Sequence, residues 1–130
     1  MKQQAAAIDA LTPADAGSAV RLFNAPPSYW LDLRSYQPVA VAQRLKVPML
    51  ILQGARDYQV TVADFDGWRH GLAGRASVSF KLYQNLFHPF IPVPADAPAG
   101  LATPAAYNVP GHVDPHVVSD IAAWVRSLAQ

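Results

Sequence analysis

The stretch VPMLILQGARDYQV, residues 47–60, decides how this chain is read. Met49, Leu50, Ile51 and Leu52 are apolar without a break. A strand with one wet face alternates apolar and polar residues, whereas a strand covered on both faces does not. The run therefore reads as a parallel strand buried on both faces. It closes on Gly54, and Arg56 and Asp57 follow. A carboxylate placed where the chain leaves the core needs a partner, and the next elements show which one is within reach.

Thr61, with Asp64 three residues on, reads as a helix cap. Val62, Phe65, Trp68 and Leu72 follow at helical spacing, and Gly71 and Gly74 end the helix. In SVSFKLY, residues 77–83, Val78, Phe80 and Leu82 alternate with Ser79, Lys81 and Tyr83, which reads as a second strand. Strand, helix and strand make a βαβ unit, normally with a right-handed crossover. In such a unit both strands end on the same edge, where open α/β sheets bind ligands. Asp57 lies just past the first strand and His88 just past the second. Neighbouring strands run about 4.8 Å apart, so loops of this length can bring the carboxylate to the imidazole. A carboxylate on the imidazole Nδ1–H fixes the tautomer and stabilises the imidazolium once it forms. Each residue also has a plainer reading. Asp after a strand is a common turn former, and a His among Phe87, Pro89 and Phe90 also packs as a satisfied core histidine.

The flanking sequence is less specific. Residues 1–28 are rich in Ala and end in Pro26-Pro27-Ser28. AAAIDAL reads as a short helix stopped at Thr12-Pro13, and DAGSAVRLF as another turn or two. In SYWLDLRSYQPVAVAQRL, Trp30, Leu31, Leu33 and Tyr36 are expected to pack, and Pro38 to open a helical turn through Leu45. Residues 89–110 carry six prolines and read as an irregular surface loop. That loop and the Trp30/Tyr36 region can line a pocket or serve plain packing. VDPHVVSDIAAWVRSLAQ reads as a final helix with Asp114 as cap and Pro115 first. Its apolar stripe is Val117, Val118, Ile121, Trp124, Val125 and Leu128.

Composition narrows the function class. With 130 residues, 52% hydrophobic and 15% charged, the chain fits one globular domain. A net charge of +1, with Lys2, Lys46 and Lys81 far apart, gives no electrostatic case for nucleic acid or an anionic membrane. No apolar run approaches the roughly 18 residues a membrane span needs. The N-terminus has one Lys and no sustained apolar core, so it reads as mature chain; the compartment stays open. Cysteine is absent, which excludes disulfides and thiolate chemistry. His70 reads as a helix-surface residue, and His112 and His116 as loop or capping residues. The His112/His116 spacing hints at a metal, but no carboxylate pattern completes a site, so neither metal nor cofactor is expected.

From SYWLDLRSYQP onward the chain resembles the C-terminal part of an α/β-hydrolase, in the dienelactone-hydrolase and prolyl-oligopeptidase-like branch of serine hydrolases. PMLILQGARDYQV, the Trp in DFDGW, the strand SFKLY and the following His carry the likeness, with GHV at 111–113 and DIAAWV behind them. The resemblance covers roughly residues 28–128. It implies a partial α/β-hydrolase fold, a short parallel sheet with flanking helices, with residues 29–130 as the C-terminal portion of the domain and 1–28 as a leading segment. It also implies that Asp57 is the acid and His88 the base of a Ser-His-Asp triad. The order Asp then His agrees with that fold.

Two departures stand out. Where the family has Leu-Asn-His-Leu-Phe, this chain has Leu86-Phe87-His88-Pro89-Phe90, and Pro89 restricts the backbone of His88. No G-x-S-x-G occurs in the sequence: Ser18, in DAGSAV, has no strand leading into it, and the other serines sit in no better context. The expected function is therefore that of a serine-hydrolase portion, acting on an ester, thioester or peptide once completed and inactive alone. The competing function is a non-catalytic module for self-association or small-molecule binding. Either way an uncovered strand edge and helix faces predict a homodimer, or a second chain that supplies the missing strands.

Overall fold

The computed structural model describes residues 2–94, 97, 100 and 102–129. Its helices are α1 (Lys2–Asp9), α2 (Pro27–Ser35), α3 (Pro38–Arg44), α4 (Val62–Gly71) and α5 (Pro115–Ser127). Two strands, β1 (Met49–Gly54) and β2 (Val78–Tyr83), complete an α/β chain. Two compact units divide at the start of α3: Met1–Pro38 and Val39–Gln130.

The first unit is small and held largely by polar contacts to backbone. The Arg34 guanidinium donates to the carbonyl of Leu11 at 2.9 Å and to that of Ile8. Trp30 Nε1 donates to Leu22 O at 2.9 Å, and the Phe23 N–H donates to the Gln4 side chain at 2.7 Å. Leu22 and Ala25 exchange both backbone hydrogen bonds around Phe23 and Asn24, whose φ values of 45° and 63° are those of a tight left-handed turn. The expected packing of Leu33 and Tyr36 is not found: both are exposed, while Trp30 and Leu31 are half-buried. α2 is apolar on several sides, and a helix can press only one side against so small a unit.

The second unit is built on the βαβ reading. β1 and β2 pair in parallel, with Met49 opposite Val78 and Gly54 opposite Tyr83. α4 starts as its sequence requires. The Asp64 carboxylate accepts from the Thr61 N–H at 2.7 Å and from its hydroxyl at 2.9 Å, so the box closes on an otherwise orphan donor. Phe65 is its buried residue, Leu72 is buried at its C-cap, and the Phe65 ring meets Phe80 of β2 edge-on at 5.9 Å. Gly74 takes φ 78° just beyond the helix, and Arg75 turns back to α3. Its guanidinium donates to Ala42 O at 2.7 Å and to Leu45 O at 2.6 Å, tying it to the C-terminal end of α3.

One expectation needs correction. β1 is not buried on both faces: Met49 to Leu52 are half-buried, and only Gln53 and Gly54 are buried. Among the described residues β1 has one hydrogen-bonded neighbour, β2, so nothing completes its cover. The loop after β2 is irregular except for a 3-10 turn at Pro104–Asn108; residues 95, 96, 98, 99 and 101 of that predicted loop lie outside the described residues. Phe87, Val93 and Ala102 form a small core under it. α5 begins where Asp114 and Pro115 place it, with the Asp114 carboxylate accepting the His116 N–H at 2.8 Å. It buries Val117, but Val118, Ile121, Val125 and Leu128 of the stripe are exposed.

Candidate functional site

The loop after β1 is shaped by side chains that satisfy its backbone. Gln53, buried at the strand end, donates through Nε2 to Gly54 O at 2.9 Å and to Val60 O at 2.7 Å. Its amide therefore ties both ends of the 54–60 loop. Asp57, only 3% exposed, points inward. Its Oδ1 accepts the N–H groups of Gln59 at 2.8 Å and Val60 at 3.1 Å, an Asx-type turn. Its other oxygen is left for a partner.

The loop after β2 supplies that partner. Leu86 and Pro92 form an antiparallel bridge, Val93 N–H donates to Asn85 O at 2.9 Å, and Phe90 N–H donates to Phe87 O at 2.8 Å. His88 and Pro89 thus occupy the centre of the turn at the tip of a small hairpin. Pro89 sits where no N–H is called upon, so the departure from Leu-Asn-His-Leu-Phe does not break the turn. Phe90 instead takes φ 57°, a left-handed conformation uncommon for an aromatic residue. Its ring lies edge-on to Tyr83 at 5.9 Å, and its carbonyl accepts the Asp114 N–H at 2.9 Å.

The two loops bring His88 Nδ1 to 2.8 Å from Asp57 Oδ2. Asp57 is buried, whereas about half of the His88 side chain (49%) faces solvent. Burial is the strongest single influence on Asp57 and opposes its charge. The Gln59 N–H, His88 and the Val60 N–H together outweigh it and hold the carboxyl below the usual aspartate range. An ionised Asp57 on Nδ1–H leaves Nε2 as the free lone pair of a neutral imidazole. No described residue hydrogen-bonds Nε2 of His88.

Beside the pair lies an apolar cavity of about 540 Å³, lined by Phe87, Ile91, Val93, Ala102, Ala106 and Val109 among others. Arg56 and Phe87, which precede Asp57 and His88 in the chain, both reach its wall. Tyr107, which also packs edge-on to Phe87 at 5.4 Å, donates to Gln59 Oε1. Of the other histidines, His112 lines this cavity, whereas His70 and His116 do not. His70 Nδ1 lies 2.7 Å from Asp66 O on α4, and His116 Nδ1 lies 2.8 Å from Asp114 at the α5 cap. Among the described residues no group of three or more His, Asp or Glu side chains is placed to hold a metal.

Several organising contacts were not read from the sequence. Gln53 ties a loop seven residues long, while the Arg56 Nε donation to Gly100 O and the Tyr83 hydroxyl bond to Asp120 at 2.8 Å join residues far apart in the chain. Gly54 did carry a signal, as a glycine at the mouth of an apolar strand.

The chain is 39% identical over 104 residues to Esterase EstD of Thermotoga maritima. The match takes in 80% of this chain and 24% of that protein, so the chain spans about a quarter of the curated relative's length. The chain is thus similar to part of an esterase. No protein-family model matches it, and no solved structure does. No described helix is long and apolar enough to cross a membrane.

Proposed function

We propose that residues 29–130 form the C-terminal portion of an α/β-hydrolase domain, preceded by residues 1–28 as a separate leading segment. Within that class we read the chain as part of a serine esterase of the dienelactone-hydrolase and prolyl-oligopeptidase-like branch. The observation that carries this is the 2.8 Å contact between Asp57 and His88 at the ends of two parallel strands. Likeness to an esterase over most of the chain supports it and favours an ester over a thioester or peptide.

In this reading Asp57 is the orienting acid and His88 the general base. Asp57 holds the proton on Nδ1, and Nε2 takes the proton of a serine hydroxyl as its oxygen attacks the ester carbonyl. The imidazolium is stabilised by Asp57 and then gives the proton to the departing alkoxide. The serine and the oxyanion-hole donors come from outside the 130 residues, which contain no G-x-S-x-G. The chain alone is therefore inactive, because triad members act as a unit.

The test is a chimera in which the matched segment of the Thermotoga esterase is replaced by the corresponding residues of this chain. Turnover of p-nitrophenyl acetate, lost in His88→Ala, is expected. An active chimera indifferent to His88→Ala refutes the role of His88, and His88-dependent turnover by the isolated chain refutes its inactivity.

The uncovered side of β1 and the exposed stripe of α5 also call for cover. In isolation the chain is read as pairing with a second copy; in the assembled enzyme, the missing strands take that place. Light scattering should give twice the 14.0 kDa mass at high micromolar concentration, and a monomer there refutes the pairing.

A further inference from the structure

We propose that Gly54 is a positioning residue for the Asp57–His88 pair: its missing side chain lets the His88 loop settle on the end of β1. Three observations converge. The β ladder continues past the strands, with Ala55 N–H donating to Tyr83 O at 2.8 Å and Arg56 N–H to Leu86 O at 2.9 Å. The Leu86 carbonyl is thereby drawn over Gly54. A Cβ at position 54 would stand 2.4 Å from Leu86 O, 2.8 Å from Leu86 C and 3.0 Å from Phe87 O. All three atoms are backbone, so no side chain can swing aside. Gly54 also accepts the Asp57 N–H at 3.2 Å, so the residue that admits one loop anchors the turn of the other.

The consequence follows from distances. Restoring an ordinary carbon–oxygen contact requires the Leu86–Phe87 backbone to retreat by about 1 Å. His88 follows Phe87 directly. A retreat of that size carries its Nδ1 beyond hydrogen-bonding range of Asp57, since 2.8 Å leaves little slack. Glycine is needed here for close approach, not for an unusual φ. That this placement serves catalysis rests on the esterase reading; that Gly54 sets the contact does not. The experiment therefore reads the contact itself.

The readout is the tautomer of neutral His88, from the ¹⁵N shifts of its two ring nitrogens in labelled protein. In the parent chain the proton is expected on Nδ1. In Gly54→Ala, folded by circular dichroism, the tautomer ratio should return to that of the urea-unfolded chain. Gly67→Ala, where an added Cβ meets nothing within 4 Å, should leave it unchanged. A folded Gly54→Ala with the proton still held on Nδ1 overturns the proposal. Should Gly54→Ala not fold, amide exchange at Arg56 in the parent chain decides. Slow exchange supports the clamp onto Leu86 O, and exchange at the unstructured rate overturns it. Failure of the esterase chimera with an intact Nδ1 tautomer would count against the function and leave this inference standing.

Discussion

Replacing Asp57 by Asn keeps the size of the side chain and removes its charge. In the native chain the carboxylate takes three hydrogen bonds, from Gln59 N–H, Val60 N–H and His88 Nδ1. The amide oxygen of Asn can keep the first two, but as a neutral acceptor. Hydrogen bonds to charged groups contribute roughly 1.5–3 kcal/mol and neutral ones roughly 0.5–1.5, so each backbone bond weakens by about 1 kcal/mol. The third bond reverses: the Asn NH₂ donates to Nδ1 and moves the imidazole proton to Nε2. His88 is half-exposed and can turn to water, so this reversal adds little to the stability loss. The expected cost is about 2–3 kcal/mol at pH 7, or a melting point lower by about 10–20 °C for a unit of this size.

The pH dependence sharpens that test. Asp57 has its carboxyl held below the ordinary range in the folded chain. Its contribution is therefore fully present above the unfolded value of about 3.9 and is lost as pH falls through the native value. Asn does not titrate there. Urea unfolding followed by tryptophan fluorescence should show a gap between parent and Asp57→Asn that is full at pH 7 and narrows in acid. A gap below about 0.5 kcal/mol at pH 7, the range of an ordinary surface change, refutes the reasoning. A gap that does not narrow refutes the charged state assigned to Asp57.

Two further outcomes concern the supports of the site. Thr61→Ala removes the hydroxyl side of the α4 capping box and should cost about 1 kcal/mol in urea unfolding. Tyr83→Phe removes a hydroxyl that bonds Asp120 of α5, where Lys81 also pairs, and should cost about 1 kcal/mol. Burial, then the bond to Asp120, pushes the Tyr83 hydroxyl above the ordinary tyrosine value. Its contribution is full below about pH 10 and disappears as pH rises through the native value. Alkaline absorbance titration of Tyr83→Phe should accordingly lack the highest-pH tyrosine step of the parent chain.

Much of the second unit was legible in the chain. The unbroken run Met49–Leu52, the alternation in 78–83 and the Thr61/Asp64 pair between them are local signals, and local backbone preference is enough to produce β1, α4 and β2. Asp114 and Pro115 likewise set the start of α5 from within one turn. Sequence also put Asp57 and His88 past strand ends on one edge, because parallel strands of a βαβ unit end on the same side. Burial was not legible in the same way. Leu33, Tyr36, Val118 and Val125 have apolar side chains, yet whether they are covered depends on what lies opposite, and a pattern along one segment carries no information about its partner.

What only the folded chain decided is therefore the closeness of things. Sequence placed a carboxylate and an imidazole past two strand ends; tertiary packing set them at 2.8 Å by laying the Leu86 carbonyl across a residue without a side chain. It likewise turned Gln53 into the tie of one loop and Tyr83 into an anchor for α5. The Asp57–His88 and Tyr83–Asp120 contacts join residues remote in the chain, and their geometry follows from excluded volume in three dimensions rather than from any preference of the residues themselves.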